Sequence, residues 1–167
     1  MEIEIKFKIY DLKFLRQKLV SIKAKRISKK RERDFYFDTA DKILSKREIL
    51  CRLRKIDTSG LLTIKGKKKQ AKYFKIKEEV EIEINSFQKA KACLGILGFK
   101  VTGGKEKVRE TYLYKSTKIC IDALPSIGSF LEIEGTKKNI IEISKKLGFD
   151  YKKGITKSYD TLLENVS

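Results

Sequence analysis

Residues 1–8 read Met1-Glu2-Ile3-Glu4-Ile5-Lys6-Phe7-Lys8. Side chains of a β-strand alternate faces with period two. Glu2, Glu4, Lys6 and Lys8 therefore share one face, and Ile3, Ile5, Phe7 and Ile9 share the other. One strand of this kind fits an ordinary solvated sheet. The pattern recurs, however. Arg52 shares a face with Arg54, as do Lys75, Lys77, Glu79, Glu81 and Glu83 with one another. Lys105, Lys107 and Arg109 repeat it, and so do Glu132 and Glu134. A chain that keeps building strands with one ionised, mixed-sign face is a candidate for lining a polar interior.

Working outward from residues 1–8, strands alternate with capped helices. Asp11 is placed to cap a helix to about Lys23, with Leu12, Leu15, Leu19 and Ile22 near helical spacing. Ile27 to Asp38 turns strand-like toward Phe35, Tyr36 and Phe37, after a very basic run from Lys23 to Arg33 that reads as a solvated strand or loop. Thr39 to Arg47 is a short helical turn or loop. Ile49 to Asp57 is a strand, Ser59-Gly60 a turn, and Leu61 to Lys65 the hairpin partner. Gly66 to Lys72 has no hydrophobic anchor and is expected to be a solvated loop, with a lid as the functional alternative. Tyr73 to Ile84 is a long alternating strand. Asn85 or Ser86 caps a helix to about Leu97, closed by Gly98. Lys100 to Tyr114 is a second long strand, with Gly103-Gly104 as a break or bulge. Lys118 to Ala123 and Ser129 to Gly135 are strands joined around Pro125 and Gly128. Asn139 to Leu147 is a helix ended by Gly148, and Ser158 to Val166 a short amphipathic one.

About eight strands, mostly antiparallel, close most simply into a barrel, which removes exposed edges. The expected class is α+β, a closed antiparallel barrel with helices outside, over one domain of residues 1–167. The ionised faces could point in or out. The apolar stripes of the helices favour the inward arrangement, because such helices need an apolar outer sheet face to pack on.

With 40 Lys plus Arg against 22 Asp plus Glu, the formal charge of +18 predicts affinity for polyanions. No apolar run approaches the length of a membrane span, and acidic residues from position 2 argue against a signal peptide. Cys51, Cys93 and Cys120 are isolated and odd in number, so buried free thiols in a reducing, cytoplasmic compartment are expected. Histidine is absent, which removes the commonest general base and zinc ligand.

One ordered set of motifs resembles the CYTH family, the triphosphate tunnel metalloenzymes, and within it the CyaB-type branch. It comprises Glu2-x-Glu4-x-Lys6; Phe35-Tyr36-Phe37-Asp38-Thr39; Leu50-Cys51-Arg52-Leu53-Arg54; and Leu62-Thr63-Ile64-Lys65-Gly66. Glu79-Val80-Glu81, Lys107-Val108-Arg109-Glu110, Asp122, Phe130-Leu131-Glu132-Ile133-Glu134-Gly135 and the tail Ser158-Tyr159 with Leu162-Leu163 complete it. Each motif alone is weak, but their order over nearly the whole chain is specific.

The resemblance implies a tunnel that binds a triphosphate with a divalent metal. A triphosphate carries about four negative charges, and phosphoryl transfer is mostly positioning and charge stabilisation. Lys6, Arg52, Arg54, Lys65, Lys107 and Arg109 are the expected phosphate-binding cations, with Lys77 and Lys75 as weaker candidates. Acids among them would repel the ligand unless a hard cation lay between. The resemblance makes Glu2, Glu4, Glu132 and Glu134 ligands of Mg²⁺ or Mn²⁺, and Glu79 and Glu81 ligands of a second ion or props for the cations. Lys6, Lys65 and Asp122 are the expected catalytic residues. It implies either a triphosphatase or a class IV adenylyl cyclase making cyclic AMP and pyrophosphate. The bacterial cyclases carry a His-Phe pair shortly before the first motif, and this chain has no histidine, which favours the triphosphatase. Tripolyphosphate, ATP and thiamine triphosphate all stay open as substrates, as does a homodimer. The rival reading, a basic nucleic-acid-binding module, explains the net charge but not acids alternating with cations on the same faces.

Overall fold

A computed structural model describes residues 1–56 and 59–164. The strands are β1 (Glu2–Ile9), β2 (Lys25–Asp38), β3 (Leu50–Ile56), β4 (Ser59–Lys69), β5 (Lys75–Ile84), β6 (Lys100–Tyr114), β7 (Thr117–Leu124) and β8 (Gly128–Glu134). The helices are α1 (Leu12–Ser21), α2 (Ile43–Lys46), α3 (Phe87–Ile96), α4 (Lys137–Leu147) and α5 (Tyr159–Glu164), with a 3-10 turn at Tyr151–Lys153. The strands close into an antiparallel barrel in the order β1-β5-β4-β3-β2-β6-β7-β8. The α+β closed barrel expected from the alternation is the fold found.

The helices start where side chains satisfy the free backbone N–H groups of the first turn. Asp11 accepts from the Phe14 N–H at 2.8 Å, Ser86 from Lys89 at 3.3 Å and Thr136 from Asn139 at 3.2 Å. Gly148 ends α4 at φ 88°, in the left-handed region that glycine enters without a Cβ penalty.

The chain divides into two compact units. One holds residues 2–30, 70–76 and the described chain from 107 onward. In it β1 pairs with β8, and β8 with β7, so that Lys6 stands opposite Glu132 and Glu4 opposite Glu134. The apolar faces of these strands, with Ile5, Ile119, Ile121, Leu131 and Ile133, are buried with Leu15 and Leu19 of α1 and Ile140, Ile143 and Leu147 of α4. Each such side chain contributes about 1.5–3 kcal/mol on burial. Glu4 and Lys6, on the other face of β1, are buried as well. This strand is therefore enclosed on both sides, apolar on one and ionised on the other.

The second unit holds Met1 and residues 31–69 and 77–106. Here β3 pairs with β2 and β4, and Phe37, Cys51 and Leu53 on the outer face pack with Phe87 and Leu94 of α3.

Several local expectations are corrected. Ser59 and Gly60 do not form the turn; they lie in β4, opposite Ile56 and Lys55. The stretch between Ile56 and Ser59 lies outside the described residues, as does the end of the strand expected to reach Asp57. The expected loop from Gly66 is strand to Lys69, because β4 extends beyond its last apolar residue. Gly103-Gly104 does not break β6, which runs unbroken from Lys100 to Tyr114. Cys51 and Cys120 are buried free thiols, but Cys93 is exposed on α3. The final helix is described to Glu164, and its expected end at Val166 lies outside the described residues. Among the described residues no helix is long and apolar enough to cross a membrane.

Gly104 has a packing reason for its identity. A Cβ there would collide with the Asp34 carbonyl oxygen of β2. Gly104→Ala is expected to lower stability by about 1–3 kcal/mol, the usual cost of overpacking. An unchanged urea midpoint would show that β2 yields to the extra atom without cost.

Candidate functional site

The ionised face of the first unit draws on five elements. Lys6 of β1 touches Glu4 and lies 3.2 Å from Glu132 of β8. Lys75, from the start of β5, donates to Glu4 at 2.6 Å. Arg109 of β6 grips Asp122 of β7 with two bonds, 2.6 and 2.5 Å, and reaches Glu132 at 2.7 Å. Lys107 donates to Asp122 at 3.0 Å. Period-two alternation places these groups together. Arg109 stands opposite Asp122 and Lys6 opposite Glu132, so these two contacts are cross-strand pairs on one face. From α5, Tyr159 lies over Lys6 and Lys107, whose ammoniums are 5.2 and 5.5 Å from its ring centre, with its edge toward Phe130.

Opposing effects set the protonation states. Burial pushes Glu4 up and Glu132 adds to this, but Lys6 and Lys75 outweigh both and hold Glu4 at about 2. Burial also opposes ionisation of Asp122 and Glu132, yet Arg109 and Lys107 hold the first below the usual carboxylate range, and Lys6 and Arg109 hold the second well below it. Lys6 would lose its proton more easily through burial alone, but Glu132 and Glu4 raise it. Burial pushes the neighbouring Cys120 thiol up to about 11, so it is not a nucleophile at neutral pH.

The second unit carries its own ionised face. Arg54 clamps Asp34 at 2.6 and 2.9 Å and reaches Glu32 at 3.0 Å. Arg52 donates to Thr63 at 3.0 Å and to Glu81 at 3.3 Å, while the Thr63 hydroxyl donates to Glu81 at 2.7 Å. Lys65 pairs with Glu79 at 2.8 Å. Burial acts against the Asp34 charge, but hydrogen bonding and charge from Arg54 hold its carboxyl far below the usual range.

Glu4, Lys6, Lys107, Arg109, Asp122 and Glu132 are thus gathered on one face, and Arg52, Arg54, Lys65, Glu79 and Glu81 on the other unit's face. Glu134 is opposite Glu4 in register, but its carboxylate turns to Lys118 at 2.5 Å, where both side chains are partly exposed. Glu2 is half-buried on the ionised face of β1, and Lys77 is half-buried on the strand that carries Glu79 and Glu81. Among the described residues, no three carboxylate or thiol side chains form a ready-made metal cage. Glu4 and Glu132 do come together around Lys6. Two carboxylates fit Mg²⁺, which commonly takes one or two from the protein and fills its shell with phosphate oxygens and water.

Sequence reading missed Glu32, Asp34, Thr63 and Tyr159 as members of these clusters. Glu32 and Asp34 did carry a signal. They alternate on β2 at the end of the basic run, Glu32 inside it and Asp34 just beyond, and share a face with Tyr36. Tyr159 carried the amphipathic pattern of a short helix and the closing motif Ser158-Tyr159, and neither assigned it to the ionised face.

Buried ion pairs are poor evidence of stabilisation, since apolar replacements of like volume are often neutral or better. A barrel that only had to fold would not need these two faces. The chain matches the CYTH domain over residues 1–159. It belongs to the CYTH domain family. A Methanocaldococcus jannaschii protein, provisionally named an adenylate cyclase, is 34% identical to this CYTH chain over 146 residues, covering 87% of it and 81% of the relative. A Pyrococcus horikoshii protein of known structure superposes with a TM-score of 0.80 at 27% identity, covering 97% of this chain and 99% of that one. A Hippeastrum protein, provisionally an adenylyl cyclase and described as having a dominant triphosphatase activity, superposes with a TM-score of 0.76 at 19% identity, covering 99% and 96%. At that identity it shares the fold.

The lowered carboxylates make stability depend on acid pH. Their folded values lie below their unfolded ones, so the stabilisation is present above the unfolded value near 4.5 and is lost as pH falls toward the Glu4 value of about 2. Urea midpoints are expected to be flat from pH 7 to 5 and to fall steeply below about 4.5. A midpoint that rises on acidification would show that the paired charges repel more than they attract.

Proposed function

We propose that this CYTH chain is a metal-dependent triphosphatase, cleaving a phosphoanhydride bond of tripolyphosphate or of a nucleoside or organic triphosphate. The observation that carries the reading is the Lys6–Lys107–Arg109 group, three buried cations held by Glu4, Asp122 and Glu132. Phosphoryl transfer needs cations placed in advance and aimed at phosphate oxygens. Arg109 offers the planar two-pronged fork, and Lys6 and Lys107 act as point charges. Arg52, Arg54, Lys65 and Lys77 are proposed phosphate-binding residues as well, with Lys6, Lys65 and Asp122 the catalytic ones. Arg52, Arg54 and Lys65 already sit in carboxylate pairs that a phosphate oxygen can replace.

Glu4 and Glu132 are the carboxylates best placed to hold Mg²⁺ or Mn²⁺, with Glu2, Glu134, Glu79 and Glu81 proposed as further ligands. When bound, the ion supplies charge neutralisation and Lewis-acid polarisation of the phosphate. Asp122 keeps Lys107 and Arg109 in place and is itself held ionised by them. The second reading is a class IV adenylyl cyclase, converting ATP to cyclic AMP and pyrophosphate. It is favoured by the cyclase name of the 34% identical relative.

The deciding experiment incubates the protein with tripolyphosphate or ATP and Mg²⁺ or Mn²⁺, and separates phosphate, pyrophosphate and cyclic AMP. Orthophosphate release from tripolyphosphate supports the triphosphatase. Cyclic AMP with stoichiometric pyrophosphate supports the cyclase. No turnover of either substrate with either metal removes both. Glu4→Gln and Glu132→Gln keep side-chain size and are expected to reduce turnover by about a hundredfold or more, the scale of losing a charge-stabilising group. Full metal-dependent turnover in both variants would take these carboxylates out of the metal site.

A further inference from the structure

The hydroxyl of Tyr159 forms no hydrogen bond of ordinary geometry. The residue is 4% exposed, and its hydroxyl oxygen is buried without a hydrogen-bond partner. It lies close enough to Asp122 to feel that carboxylate, yet forms no hydrogen bond of ordinary geometry with it. Buried hydroxyls are normally satisfied, because an unmet donor keeps its full desolvation penalty. Tyr159 could be replaced by phenylalanine without losing any contact of its ring. The ring alone accounts for the edge contact with Phe130 and for the ammoniums of Lys6 and Lys107 beneath it. The hydroxyl therefore needs another reason.

We propose that the Tyr159 hydroxyl is a hydrogen-bond donor to a phosphate oxygen of the bound polyphosphate, making α5 part of the binding site. The inference rests on the triphosphate reading above. Its geometry is local to one face. Lys107 and Arg109 donate to Asp122, Arg109 also to Glu132, and Lys6 pairs with Glu4 and Glu132. A phosphate anion entering this group competes with those carboxylates for the same cations. The Asp122 oxygens already accept three bonds, two from Arg109 and one from Lys107, so a phosphate oxygen competes with a single remaining acceptor position for the phenol. A phosphate oxygen brings fresh lone pairs to the place where the unused donor lies. The bond is then charge-assisted, the stronger kind of hydrogen bond. Tyr159 also roofs the two lysines with an apolar ring, which excludes water from the contacts it completes.

The test is Tyr159→Phe, which keeps the ring and removes only the hydroxyl. Affinity for tripolyphosphate with Mg²⁺ is measured by isothermal titration, and folding by thermal melting without ligand. The expected result is an affinity about tenfold or more weaker, the scale of a lost hydrogen bond to a charged group. The ligand-free melting temperature should be unchanged or higher, because an unsatisfied buried hydroxyl has been removed. Equal affinity in parent and variant overturns this assignment while leaving the triphosphate reading intact. A parent that binds no tripolyphosphate overturns both. A variant that loses its fold also overturns the assignment, since it would show that the hydroxyl has a structural partner in the resting protein.

Discussion

Charge compensation on a face shut away from water is the constraint from which the rest follows. An unpaired ammonium at the position of Lys6 would cost several kcal/mol, and would lower its charge by giving up the proton. The chain instead supplies Glu4 two residues away on the same strand and Glu132 directly across on β8. Those carboxylates repel one another, so Lys75 and Arg109 are needed as well. The network works only with a fixed register, because a one-residue slip of β1 would turn Glu4 and Lys6 outward and bring Ile3, Ile5 and Phe7 inward. Electrostatics and packing therefore specify the same register, and the apolar face under α1 and α4 reinforces it.

That double specification explains what was legible in the sequence. Where a strand is enclosed on both sides, the alternation is sharp, so period two groups Glu4 with Lys6, Arg52 with Arg54, Lys107 with Arg109 and Glu132 with Glu134 on shared faces, and the apolar stripes of the helices select the inward one. Glu134 shows the limit. Alternation puts it on the ionised face, but Lys118 beside it draws the carboxylate toward the solvent. Near a strand end, the partner decides where the side chain goes, and the pattern does not carry that information. Glu32 and Asp34 were hidden for a different reason. They lie in a stretch so rich in exposed lysine and arginine that its overall polarity masks the two buried acids. The exposed Cys93 is the converse case, an apolar-looking neighbourhood on a helix whose contact face is carried by Phe87 and Leu94 instead.

Net charge was the most visible property of the chain and the least specific. Many of the 40 basic side chains have no part in the clusters; Arg31 and Arg33, for example, pair with Glu106. A surface of this sign attracts any polyanion over several ångströms and speeds its encounter. It discriminates poorly between a nucleic acid, an anionic membrane and a small polyphosphate. Discrimination has to come from groups that meet the anion after it has lost water, and those are the buried ones.

The balance of charge on the first face bears on how a ligand could be held there. Lys6, Lys75, Lys107 and Arg109 oppose Glu4, Asp122 and Glu132, leaving one net positive charge in a water-poor setting. A triphosphate brings about four negative charges, so binding it alone would leave a large uncompensated excess beside three carboxylates that are held ionised. Protonating those acids is one remedy, but their lowered pKa values make it costly near neutral pH. A divalent cation that travels with the phosphate is the other, and it turns Glu4 and Glu132 from repelling neighbours into attractive ones. Under the proposed function the acids would keep the cations in position between ligands and would favour an anion that arrives with metal. A site of cations alone would bind bare phosphate more tightly, but it would have to bury their unpaired charges whenever the ligand left.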